Sequence, residues 1–213
     1  MMDPERDNRA VRRLGVGFAI LFTVATTALL GDLIGAFADS PSSFVYFDSS
    51  AERLRHAVGA YLLTASGLVF VAFVVRATSS FDDSDTSDGH TARLAAAVFA
   101  ALVGLAAAAL ATVSMSVGFG QITGDPGIEE GRELIPQLGY VVLFVPAALT
   151  GGHAIFLLTR DAQRSSRLPP WMIGAGYVAA TAQLLSVFAV PMILLPLWVL
   201  GAAITFRIPH VGG

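Results

Sequence analysis

The chain contains no cysteine and no lysine, and charged side chains make up only 14% of its 213 residues. Each shortage removes a class of chemistry. Without cysteine there is no disulfide, thiol nucleophile, thiolate metal site or thioether-linked haem. Without lysine there is no amine to form a Schiff base with retinal or pyridoxal phosphate, so a rhodopsin-like pigment is excluded; all 13 basic residues are arginine. The scarcity of charge sets the chain apart from soluble domains, in which about 25% of residues are charged. A formal charge of -3 supplies no polycationic surface, and no nucleic-acid partner is expected.

What is abundant is apolar surface. Hydrophobic residues reach 54%, the mean hydropathy is +0.68, and the charges are clustered, leaving long uncharged runs between them. A bilayer core of about 30 Å is crossed by roughly 20 apolar residues in a helix. Four runs, over about 14–38, 57–75, 94–118 and 138–158, meet that length. The last run, Trp171 to Phe206, would make a single helix about 54 Å long, too long for one crossing. Pro191 and Pro196 bracket Met-Ile-Leu-Leu, and proline interrupts a helix interior, so a reversal between Val187 and Pro196 is predicted, with helices over about 171–187 and 190–206. The expected fold is all-α: one integral membrane domain, 1–213, a polytopic bundle of six transmembrane helices.

Arginine placement tests this count independently, because basic residues in short loops are retained on the cytoplasmic side. Six crossings gather Arg6, Arg9, Arg12, Arg13, Arg76, Arg93, Arg160, Arg164, Arg167 and Arg207 on one side, ten in all, and leave Arg53, Arg55 and Arg132 on the other. Both termini are therefore expected in the cytoplasm, with the chain in the cell membrane of a prokaryote and the lipid bilayer as its first partner. The Ser/Asp-rich segment over about 77–92 reads as a mobile acidic linker. It is no calcium loop, since Ala95 stands where the bidentate Glu would be needed. Acidic loops with neither lysine nor cysteine fit a salt-adapted organism. Ala36 and Ala38 are spaced like a signal-peptidase site, but the apolar stretch from Leu14 to Gly31 exceeds the roughly 7–15 residues of a signal core, and a retained helix is expected.

Few side chains offer chemistry inside the apolar runs. Asp32 in Leu-Leu-Gly-Asp-Leu-Ile-Gly is the only acidic residue within one, and an intramembrane carboxylate is a ligand or proton-site candidate by default. Its alternative is structural pairing with Arg55 or His56 at the start of the second helix. His153, after Gly151 and Gly152, is the other ligand or proton candidate, with a hydrogen-bonded packing role as its alternative. The histidines are too dispersed to clamp a haem or form a metal site, so no metal and no cofactor is expected. Thr64 to Gly67, Thr-Ala-Ser-Gly, resembles the GxSG of rhomboid-type proteases, but Thr64 replaces the first glycine and the helix numbers disagree. Glu129 and Glu130 lack the EExxxR spacing of CAAX-type proteases.

Small residues recur at small-xxx-small spacing: Gly31 with Gly35, Gly104 with Ala108, Gly176 with Ala180. In lipid such positions let helices approach closely, which places the Ala/Gly-rich third helix at the centre and makes Ala/Gly faces candidates for a membrane-protein partner or homo-oligomer. Gly139-Tyr140, the linker Leu168-Pro169-Pro170-Trp171, and Pro191 and Pro196 before Leu197-Trp198 resemble an uncharacterised prokaryotic family of six-helix membrane proteins, catalogued as a domain of unknown function. That resemblance implies the fold and carries no catalytic residue. The expected role is a non-catalytic membrane module or accessory subunit. The alternatives are a small-solute or ion transporter working through Asp32, for which Pro146, Gly151 and Gly152 would break the fourth helix, and an intramembrane enzyme.

Overall fold

The structure is a computed structural model in which the described residues are 4–39, 50–79, 87–123, 134–188 and 190–206; side chains are described for 6–29, 50–79, 88–112, 114–115, 135–186 and 191–206. All regular structure among them is helical. We number six helices. α1 is Pro4–Asp39, α2 is Ser50–Ser79 and α3 is Ser87–Thr123. α4 joins Leu134–Val142, a π-helical turn Leu143–Ala147 and Ala148–Arg164. α5 is Pro170–Ala182, continued as a 3-10 helix Gln183–Phe188. α6 opens as a 3-10 turn Val190–Ile193 and continues as Leu194–Thr205.

Every long helix overruns its apolar run. α1 starts at Pro4 instead of near Leu14, and α2 ends at Ser79 while α3 starts at Ser87, so helix covers both ends of the segment expected as a linker over 77–92. The overruns carry the polar side chains that the apolar windows exclude. Four helices, Arg6–Leu29, Ser50–Ser79, Asp88–Thr112 and Ile135–Arg164, are long and apolar enough to cross a membrane, and Pro191–Thr205 is a shorter apolar one.

The final run folds back on itself. Met172 near the start of α5 faces Gly201 near the end of α6, Gly176 faces Trp198, and the Gln183 amide donates from Nε2 to the Pro191 carbonyl at 2.9 Å. Those pairings descend in register as an antiparallel hairpin must. A 3-10 helix rises about 2.0 Å per residue against 1.5 Å in an α-helix, so winding the turn ends as 3-10 stretches residues 170–188 to about 31 Å and 190–205 to about 26 Å. The reversal falls before Pro191. Pro196 lies inside the first turn of the α-helical part of α6, where its missing N–H breaks no intrahelical bond.

The six helices form a closed ring in chain order: each packs on its sequence neighbour, and α1 closes on α6. α3 is therefore one wall, packed chiefly on α2 and α4, and does not occupy the centre that its composition suggested. The interior is filled by large side chains. Phe18 of α1, Phe70 of α2 and Phe99 of α3 follow one another with ring centroids 5.0 and 4.9 Å apart, and Phe22 stacks beside Phe18 at 5.4 Å. A Cβ on Gly151 of α4 would stand 2.7 Å from Leu195 of α6 and 2.9 Å from Phe99, so α3, α4 and α6 meet there with no room to spare.

Glycines set how closely the walls approach. Gly67 brings α2 onto the Ala100 backbone, where an added Cβ would stand 3.1 Å from the Ala100 Cα, and at Gly139 of α4 an added Cβ would stand 3.1 Å from the Ala106 carbonyl oxygen. Gly176 packs against Thr159 and Trp198, as its small-residue spacing predicted. Gly104 does not: nothing lies within 4 Å of its Cβ position, and Ala108 is exposed. Gly31 and Gly35 lie outside the residues whose side chains are described.

Candidate functional site at the basic end of the ring

One end of the ring collects the polar chemistry. Asp7 of α1 is buried and accepts from Arg76 Nη2 of α2 at 2.5 Å. Arg93 of α3 donates from Nε to Thr78 Oγ1 at 2.7 Å. Asp88 is shared by two arginines of α4, with Arg164 Nη1 at 2.5 Å and Arg160 Nε at 3.4 Å from Oδ2. Such pairs stitch the ends of α1, α2, α3 and α4 together through Arg76, Arg93, Arg160 and Arg164, four of the ten arginines expected on one side; Arg207 lies outside the residues whose side chains are fully placed at this end. Since Gly15 packs on Ala203, the start of α1 and the end of α6 share it.

The turn from α4 to α5 completes this end. α4 closes with a Schellman motif: the Arg167 N–H donates to the Ala162 carbonyl at 3.0 Å and the Ser166 N–H to the Gln163 carbonyl at 3.3 Å. Ser166 takes the left-handed residue of that motif, at φ 53°. The turn carries Arg167 inward beside the buried Asp161. Burial holds the Arg167 pKa below its ordinary value, and the Asp161 charge opposes that shift; an arginine stays protonated regardless. Pro169 and Pro170 then start α5, where proline is tolerated because the first helical N–H groups have no partner inside the helix. A cavity of about 830 Å³ opens beside this turn, lined by Gln163, Ser166, Arg167, Trp171, Ile204 and Thr205 among others.

At the opposite end stand the residues expected beside Asp32. His56 is buried on α2 and its Nδ1–H donates to the Glu52 carbonyl at 3.1 Å, which leaves the other ring nitrogen without the proton in the neutral form. Arg55 is half-buried on the same helix. Gly59 packs on Ala28 and Leu29 of the antiparallel α1, so the α1 backbone one turn beyond Ala28 comes level with Arg55 and His56, one turn before Gly59. The Asp32 side chain lies outside the described residues. The Tyr140 hydroxyl of α4 donates to the Leu29 carbonyl at 3.3 Å, tying α4 to α1 at this level.

His153 is brought to none of these groups. It is exposed on α4, on the side away from buried Gly151, Gly152, Ala154 and Ile155. Among the described residues no three His, Asp or Glu side chains gather as metal ligands do. Two polar features were not anticipated from the sequence. Ser186 donates to the Phe144 carbonyl within the π-helical turn that accommodates Pro146, and Gln183, the one amide in the final run, is 1% exposed and pins the hairpin. No protein-family model, no curated protein and no solved structure matches the chain.

Proposed function

We propose that the chain is a non-catalytic membrane module: six crossings of the cell membrane, both termini cytoplasmic, and a lipid-exposed helix face that receives another membrane helix. The observation that carries this reading is the apolar outer surface around an apolar core. All six helices present large apolar side chains outward, among them Ile20, Leu68, Leu105, Leu138, Val178 and Leu197. A soluble monomer rarely exposes apolar patches beyond a few hundred Å², whereas a bundle in lipid wears such a belt by necessity. Within the belt, phenylalanines plug the ring, and a plugged ring supports a module over a solute path.

The partner-binding face is the outward side of α3. Ala97, Ala101, Gly104, Ala108 and Thr112 form a ridge of small residues there, each exposed except half-buried Gly104. Without a hydrophobic driving force between helices in lipid, close packing of small residues is what favours association.

Because the chain has no cysteine, single cysteines give an unambiguous topology test. Asp125→Cys should react with a membrane-impermeant maleimide on intact cells, while Ser84→Cys and Gly213→Cys should react only after lysis. Labelling of Gly213→Cys but not of Ser84→Cys on intact cells would mean that residues 171–206 do not cross twice. Gly104→Leu should reduce cross-linked oligomer or co-purified partner without lowering the yield of folded protein; unchanged association would remove the α3 face from the proposal.

A further inference from the structure

We infer that the cavity beside the α4–α5 turn is a headgroup site for an anionic phospholipid, with the lipid phosphate at Arg167 and the glycerol and upper acyl chains against Trp171 and Ile204. The inference rests on the membrane placement proposed above and adds to it a specific ligand class. Three observations converge. First, the cavity, about 830 Å³, lies within the roughly 300–1,000 Å³ range of small-molecule sites, and it lies at the basic end of the ring, where a bilayer would present its headgroups.

Second, its lining is divided as a phospholipid is. Arg167, Gln163 and Ser166 supply a cation, an amide and a hydroxyl able to donate to phosphate or glycerol oxygens, while the Thr205 hydroxyl, which donates to the Gly201 carbonyl at 2.7 Å, offers an acceptor. Trp171 and Ile204 supply apolar wall and are 64% and 55% exposed, so they belong also to the outer belt. The cavity is thus continuous with the lipid-facing surface, and a ligand there can keep its tails in the bilayer. A free anion would leave the apolar wall unused.

Third, the charged side chain that lines the cavity is a cation: Arg167 stands in the wall, with the buried Asp161 beside it. The α5 N-terminus begins at Pro170 in the cavity wall, where the helix dipole adds partial positive charge. Arginine matches phosphate geometry with its forked donors, and tryptophan is favoured at the membrane interface, where its ring meets the glycerol level.

The test uses full-length protein in mild detergent, offered equal amounts of phosphatidylglycerol and phosphatidylcholine, with bound lipid counted by native mass spectrometry. Wild type should retain phosphatidylglycerol about tenfold over phosphatidylcholine, a ratio equivalent to about 1.4 kcal/mol. Gln163→Glu should abolish the preference, because it places a carboxylate in the cavity wall; it still accepts the Tyr177 hydroxyl, which donates to Gln163 Oε1 at 2.8 Å, so the fold is kept. Trp171→Ala should weaken retention of both lipids. Equal retention of the two lipids by wild type would overturn the inference, as would a preference untouched by Gln163→Glu. Displacement of phosphatidylglycerol by millimolar inorganic phosphate would overturn the lipid as occupant and leave an anion site. Any of these outcomes with normal bilayer reconstitution would leave the membrane reading standing, whereas protein that stays monodisperse without detergent would defeat both.

Discussion

Replacing Gly176 by alanine adds one methyl group where α4, α5 and α6 meet. Its Cβ would stand 2.7 Å from Trp198 Nε1 and 2.9 Å from Thr159 Cγ2, and closer still to Thr159 Oγ1. Neither neighbour has room to withdraw, since Thr159 and Trp198 are both buried. Shifting the indole would also stretch its bond to the Met172 carbonyl, already 3.3 Å. Overpacking of this kind costs about 1–3 kcal/mol, and the weakened hydrogen bond adds about 1 kcal/mol. The gain in helix propensity returns about 1 kcal/mol, so Gly176→Ala should destabilise by about 1–3 kcal/mol. The same change at Gly104, with nothing within 4 Å, meets no contact and should stabilise the monomer by about 0.5–1 kcal/mol. Thermal unfolding of both variants in a monomer-preserving detergent reads the two signs side by side. A Gly176→Ala protein melting at or above wild type would refute the packing of α5 between Thr159 and Trp198.

Three further outcomes are expected. Ser166→Gly should raise stability by about 0.5–1 kcal/mol, because the left-handed residue of the α4 cap costs an L-side chain about 1–2 kcal/mol and glycine returns part of that as unfolded-state entropy; a lower melting temperature would place the α4 end differently. Gln183→Leu should destabilise by about 2 kcal/mol, since it leaves the Pro191 carbonyl without its donor in an apolar hairpin, and an unperturbed melt would show that the reversal does not depend on that bond. Asp88→Asn should cost about 1 kcal/mol or less, as expected for a pair whose arginines are half-exposed, and the difference from wild type should shrink at high salt.

The Asp32 hypothesis turns on comparing stability with transport. If the carboxylate only supports the α1–α2 contact near Arg55 and His56, Asp32→Asn should lower the melting temperature modestly and no solute-driven pH change should occur in proteoliposomes of either protein. A pH response in wild type that Asp32→Asn abolishes at unchanged stability would instead favour transport over the module proposed here.

The sequence alone determined the helices and their order, because long apolar runs bounded by charged residues and proline favour continuous hydrogen-bonded helix. Run length counted four long apolar helices, and the excess length of residues 171–206 required a reversal that the Gln183–Pro191 bond then made visible. Composition could not say which way each helix turns about its axis. Where both faces of a helix are apolar the periodicity that orients it fades, and α2 and α3 show almost none. Hence Gly104 and Gly176 look alike as small-residue positions, yet one faces outward and the other is wedged between Thr159 and Trp198. For the same reason His153 could be placed on α4 but not on its outer side. The cavity at Arg167 was not read from the sequence: Leu168-Pro169-Pro170-Trp171 marked a turn, but it is the register of α6 returning along α5 that brings Ile204 and Thr205 across from it.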